Sequence, residues 1–287
     1  MKKLFAPTVS FRTAIDTAAS GIGSGAVRKT FTDALLGAVH IELAYRASAQ
    51  AATLFNEPRI SGTGDPQVHN GLRKSDLMKL YTQYFVPEDK PARRLYDAIK
   101  VTANGKCPLC GGIGHVRTLD HYLPKANFPL YSVMPGNLVP CCRDCNSEKL
   151  NSFASEHCQQ TLHPYFDHDR FFAEKWVHAR VVPTMPPVLE YFVSPPDGWS
   201  DGDKARVLHH FADYDLADKF SVEAGADLPE TILTRRTTMS DNSPEEFSVY
   251  LAEKGGNPEL PINNWRRVMF AALSVDVWFC SQTFAVI

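Results

Sequence analysis

Four cysteines stand in two matched pairs, Cys107-Pro108-Leu109-Cys110 and Cys142-Arg143-Asp144-Cys145. Two such Cys-x2-Cys knuckles can supply four thiolates to one tetrahedral Zn²⁺, at Zn–S distances of about 2.3 Å. Gly111, Gly112 and Gly114 follow the first knuckle and suit the tight backbone it needs. A dithiol reading of either pair is weaker, because no thioredoxin-like βαβ pattern surrounds it. The 31 residues between the knuckles exceed what a plain zinc ribbon requires, so a second feature is expected there.

That feature is Leu119-Asp120-His121-Tyr122-Leu123-Pro124-Lys125, followed by Gly136-Asn137-Leu138 and then Cys145-Asn146-Ser147-Glu148-Lys149. Phosphodiester hydrolysis needs an activated water, a counter-charge for the developing phosphorane and leaving oxygen, and positive groups that hold the strand. Asp120 offers a carboxylate and Asn146 a neutral oxygen, a sparse donor set suited to one Mg²⁺ or Mn²⁺ that keeps several waters. His121 can be neutral near pH 7 and accept a proton from water as general base. Lys149 lies three residues beyond Asn146, on the same face of a helix, and its ammonium is expected to reach a phosphate oxygen. Asp144 and Glu148 lie off that face and read as solvated charges.

These residues resemble the HNH family, also called ββα-metal or His-Me finger nucleases. The likeness rests on Asp120-His121-x2-Pro124, Asn137-Leu138 and Cys142-x2-Cys145-Asn146-x2-Lys149, about fifty of 287 residues, with Asn in the last position as in the HNN variant. The resemblance implies that Asp120 and Asn146 ligate the catalytic metal and that His121 is the base. It also implies that Asn137 braces the loop between two strands and helps orient the histidine, and that the four cysteines form a structural zinc bracket. Products with a 3′-hydroxyl and a 5′-phosphate are then expected. With Leu162-His163-Pro164-Tyr165-Phe166-Asp167 after the module, the chain also resembles the nuclease half of Septu-like anti-phage defence pairs. The rival class is a non-catalytic zinc module that binds nucleic acid or a protein. It has no physical need for an intact Asp120, His121 and Asn146.

Neighbours in a regular strand point to opposite faces, so Asp120 and His121 cannot both approach one phosphate from a flat ladder. Residues 121 to 130 are therefore expected to leave the sheet as an irregular loop, with Pro124 as the break. Cys141 competes with Cys142 for the metal, but only Cys142 has x2 spacing to Cys145. His115 is near the first knuckle, where four thiolates already close a site. Cys158 and Cys280 read as inert core thiols. His163, Asp167, His168 and Asp169 form a second cluster of metal-ligand types, but the segment reads better as docking on the module, with Tyr165 and Phe166 buried.

The elements that must position these groups are mostly helical. From Phe11 to Ala103 the pattern predicts helices across Val27–Phe55, Ser75–Phe85 with Ser75 as N-cap, and Lys90–Val101, with residues 60–71 a loop. Gly21-Ile22-Gly23-Ser24-Gly25 is read as a hinge, since no Lys-Ser/Thr follows at P-loop spacing. Downstream, Trp176–Val182 and Val188–Val193 predict strands, while Lys204–Phe211, Pro229–Met239, Pro244–Lys254 and Asn263–Cys280 predict helices. The expected class is mainly α with a small embedded α+β module. The expected division is a helical region 1–103, a zinc-stapled ββα module 104–175 and a helical region 176–287.

At 287 residues and 44% hydrophobic, the chain can bury a sizeable core. Val268–Ile287 is apolar but interrupted by Asp276, so a packed helix is expected and not a membrane span. The first residues form no signal-peptide segment, and a cytoplasmic protein is expected. A net charge of −2 is poor for generic grip on duplex DNA, although six Lys and Arg face three Asp and Glu between Lys100 and Leu150. The flanks are accordingly expected to recruit a protein partner, an ATPase being one candidate, or a particular nucleic-acid structure.

Overall fold

Hydroxyl and carboxylate caps set where many of the helices begin. The computed structural model describes residues 1–62, 64–149 and 152–284, arranged as two compact units. The first unit comprises Lys3–Leu109 and Gly114–His168. Helix α1 (Phe11–Ser20) starts where Ser10 Oγ accepts from Thr13 N, and it buries Phe11, Ala14, Ile15, Ala18 and Ala19, the spacing of one helical face. Ser24 caps α2 (Gly25–Ala34) in the same way, so the glycine-rich hinge is a turn between two helices. The predicted helix across 27–55 is interrupted at Leu35–Gly37 before α3 (Ala38–Gln50).

The loop expected at 60–71 carries a short hairpin instead. Its strands β1 (Gln67–His69) and β2 (Leu72–Arg73) turn through Asn70 and Gly71, both at positive φ. Strands of three and two residues are below what hydrophobic alternation can reveal. Helix α4 (Lys74–Tyr84) follows, with the Asp76 carboxylate accepting from Arg73 N. Ser75 does not cap it, since its N and Oγ both donate to Asp65. Helix α5 (Arg93–Val101) packs on the hairpin that holds the site.

That hairpin is antiparallel. Strand β3 (Thr118–His121) pairs with β4 (Leu138–Cys141) in the register Thr118↔Cys141 to His121↔Leu138, and α6 (Arg143–Lys149) follows at once. Pairing ends at His121, and residues 122–137 form an irregular connection with two short 3₁₀ turns.

The second unit is Met1–Lys2, Cys110–Ile113 and Asp169–Ile287. After the short α7 (Arg170–Ala173), strands β5 (Val177–Val182) and β6 (Val188–Val193) pair antiparallel, as their alternation predicts. Helices α8 (Asp201–Asp213), α9 (Leu216–Arg236), α10 (Pro244–Gly255), α11 (Trp265–Val275) and α12 (Val277–Ser281) complete the unit. Two differences from the expected helices exceed a few residues. Helix α9 runs through Pro229 from Leu216, and the predicted 263–280 helix breaks at Asp276, whose carboxylate caps α12. Among the described residues no helix is long and apolar enough to cross a membrane. The three-part division expected from the sequence becomes two parts, with residues 3–109 packing with most of the zinc-knuckle module, because β3 and β4 are too small to bury themselves without α5.

Candidate functional site

Cys107, Cys110, Cys142 and Cys145 are buried, and their sulfurs all lie within 4.8 Å of one another. A tetrahedral Zn²⁺ with Zn–S of about 2.3 Å sets sulfurs about 3.8 Å apart, so this donor set fits such an ion with little movement. The first knuckle turns through Gly111 and Gly112 at φ +68° and +96°, values that favour glycine, and is closed by Cys107 N donating to Gly114 O at 2.9 Å. Cys141 is buried but stands outside the set, and exposed His115 pairs through its backbone with Lys106.

The second knuckle opens α6, and α6 brings Asn146 to a cleft of about 370 Å³. The cleft is lined by Asp120, His121 and Asn146, together with Lys125, Tyr81 and Tyr96. Three residue types picked from the sequence for one reaction therefore share one wall of solvent. Each has an open valence. Asp120 Oδ1, His121 Nδ1 and the Asn146 side-chain amide take no hydrogen bond among the described residues.

His121 is held from two sides. Its ring lies edge-on to Tyr81, centroids 4.4 Å apart, and Nε2 is 2.8 Å from Ser132 O. A carbonyl only accepts, so Nε2 carries the proton and Nδ1 of the neutral ring is the basic nitrogen. Ser132 is fixed in turn by its Oγ donating to Leu77 O at 2.7 Å. Burial, with the nearby Lys125 ammonium, pushes the imidazole down to about 3, so it is unprotonated near neutrality.

Asn137 is wholly buried and its amide is fully used. Oδ1 accepts from Leu123 N (2.7 Å) and Tyr45 Oη (2.9 Å), while Nδ2 donates to Leu123 O (3.0 Å) and Tyr131 O (3.2 Å). These bonds tie both ends of the 122–137 connection together and pull the chain out of the ladder just after His121.

Lys149 stands elsewhere than expected. Its side chain is 5% exposed, and Nζ lies 2.9 Å from Asp120 Oδ2 and donates also to the His121 carbonyl. It does not line the cleft. Three-residue spacing from Asn146 does give a shared face, but the long stem carries the ammonium under the strand and away from solvent.

No family model matches the chain, and no solved structure matches it. It is similar to the protein ea31 of Escherichia phage lambda, with 35% identity over 287 residues covering 96% of this chain and 97% of that one. The chain belongs to the ea31 family. The match runs through both units.

Several residues that build the site carry no sequence signal of their own. Tyr81, Ser132, Tyr45 and Tyr96 come from different elements and reach the site only through the fold. The 162–167 segment docks on the hairpin, as Tyr165 Oη donates to Leu138 O at 2.8 Å and His163 is buried 4.2 Å from the Tyr122 ring centroid. His163 Nδ1 accepts from Tyr165 N, and the Asp167 carboxylate from His163 N. Among the described residues the cysteine quartet is the one group of three or more His, Cys, Asp and Glu side chains arranged to hold a metal.

Proposed function

We propose that this chain is a metal-dependent endonuclease of the HNH type that hydrolyses DNA phosphodiester bonds. The observation that carries the reading is the convergence of Asp120, His121 and Asn146, each with a free donor or acceptor atom, on one open cleft. Nδ1 of His121 is the proton acceptor for water, since Nε2 is committed to Ser132 O. Protonation of a buried imidazole is unfavourable alone, but an anionic phosphate beside it favours the imidazolium, the direction the reaction needs. Asp120 and Asn146 would hold one Mg²⁺ or Mn²⁺, which supplies positive charge to the phosphate and departing oxygen when bound. Lys125, half-buried at the cleft with Nζ 5.5 Å over the Tyr81 ring, offers a strand phosphate a cation. The cysteine quartet would hold a structural Zn²⁺ that fixes α6 against the hairpin.

Supercoiled plasmid incubated with Mg²⁺ or Mn²⁺ tests the proposal. Wild type is expected to nick or cut, and His121→Ala to lose at least about a hundredfold in rate with unchanged zinc content. Equal cutting by both would move the chemistry to another site. No cutting by wild type, with retained zinc and DNA binding, would favour the non-catalytic zinc module.

A further inference from the structure

Lys149 is almost sealed from solvent, yet it carries a charge that meets Asp120 at 2.9 Å and the His121 carbonyl besides. Two of the three ammonium protons are thus spent on the last two residues of β3, one of which supplies the cleft carboxylate and the other the cleft imidazole. To meet a phosphate, the ammonium would have to abandon a buried ion pair, whose breakage is strongly unfavourable. Asn146, one turn earlier on the same helix, does line the cleft. The helix therefore presents an amide to solvent and an ammonium to the back of the carboxylate.

We propose that Lys149 is a positioning residue that permanently occupies Asp120 Oδ2, so that the carboxylate offers a divalent cation one oxygen only and the empty site holds such a cation weakly. The inference rests on the nuclease reading of the cleft. The ammonium fixes the carboxylate plane and cancels much of its charge, and a like charge so close opposes a second cation strongly in a poorly solvated place. What is left, one carboxylate oxygen and one neutral amide, is too sparse a set to retain Mg²⁺ tightly by itself. Such a site depends on the phosphate oxygens of the substrate to complete the coordination. Cation and strand would then bind together.

The test is a Mn²⁺ titration of the full chain at fixed pH, followed by electron paramagnetic resonance without nucleic acid and repeated with an uncleavable phosphorothioate duplex. Wild type is expected to bind one Mn²⁺ weakly, and at least about tenfold more tightly with the duplex. Lys149→Gln is expected to bind Mn²⁺ at least about tenfold more tightly than wild type when nucleic acid is absent, because the opposing charge is gone. Lys149→Arg keeps the charge and should return the affinity towards the wild-type value. Unchanged Mn²⁺ affinity in Lys149→Gln, with a raised KM for DNA, would overturn the inference and make Lys149 a phosphate ligand. If Lys149→Gln does not fold, a crystal structure of the Mn²⁺-loaded wild type decides. The ammonium still on Oδ2 supports the inference, and an ammonium released to let Mn²⁺ take both oxygens overturns it. The two readings fail separately. Tighter Mn²⁺ binding by Lys149→Gln in a protein that never cuts DNA sinks the nuclease alone, whereas His121-dependent cutting with Mn²⁺ affinity indifferent to residue 149 sinks the lysine inference alone.

Discussion

The first unit carries eighteen lysines and arginines against fourteen aspartates and glutamates, while the second carries twelve against eighteen. Their net charges are +4 and −6, hidden within a chain total of −2. Buried charge differs in kind as well. In the second unit, the buried Arg235 donates through Nε and Nη1 to the carbonyls of Gln282, Met239 and Asn242, an arrangement that closes the C-terminal end of α9. In the first, the buried Asp120 and His121 keep an oxygen and a nitrogen open to a cleft. Whole-chain charge thus hides a basic unit and an acidic one, and only the former holds the cleft.

The heaviest blow to this contrast would come from disabling the cysteine quartet, which would hold a structural Zn²⁺. Structural Zn²⁺ contributes on the order of 10 kcal/mol to small folds, as much as an entire domain's stability. Cys145→Ser, or a strong chelator, should release the metal and collapse hydrogen-exchange protection across β3, β4 and α6, while α9 to α11 stay protected. If α9 to α11 lose protection together with β3, β4 and α6, the two units are not independent in stability.

Next in size is Asn137→Ala. It strands Leu123 N, Leu123 O and Tyr131 O, which are buried polar groups costing roughly 1 to 3 kcal/mol each when unpaired. We expect a loss of about 3 kcal/mol or more in urea unfolding read from the first unit, and activity lost with it. A stability within about 0.5 kcal/mol of wild type would mean that the 122–137 connection is held by other contacts.

Charge reversal sharpens the comparison more gently. Lys125→Glu at the cleft should weaken DNA binding about tenfold near 0.1 M salt and lower the salt slope by about one. Arg180→Glu, an equal charge change at the exposed Arg180 of β5, should alter it less than about twofold. Equal effects from both would show that the second unit also meets the nucleic acid. The smallest effect belongs to the solvated pair Arg12–Asp16, 2.8 Å apart on α1, where Asp16→Ala should cost about 0.5 kcal/mol or less in the same unfolding assay.

The sequence alone pointed to the cysteine quartet that the fold gathers, to Asp120, His121 and Asn146, which line one cleft, and to a break of the strand, which comes one residue later than expected because His121 still pairs with Leu138. Each of these is a matter of residue type and short spacing: paired thiolates with two residues between them, a histidine beside a carboxylate, a proline three residues on. Strands β5 and β6 and several of the helices were legible for a similar reason, because their apolar period is long enough to count. Other features were decided only when distant segments met. Tyr81 and Ser132, from α4 and the long connection, hold His121 and select its tautomer. Residues 3–109 turned out to pack with most of the zinc-knuckle module because a two-stranded hairpin has too little surface to make its own core. The direction of Lys149 is the clearest case. Helical periodicity assigns it a face, but a flexible four-carbon stem lets the ammonium choose between solvent and a buried carboxylate, and only the placement of Asp120 behind α6 settles that choice.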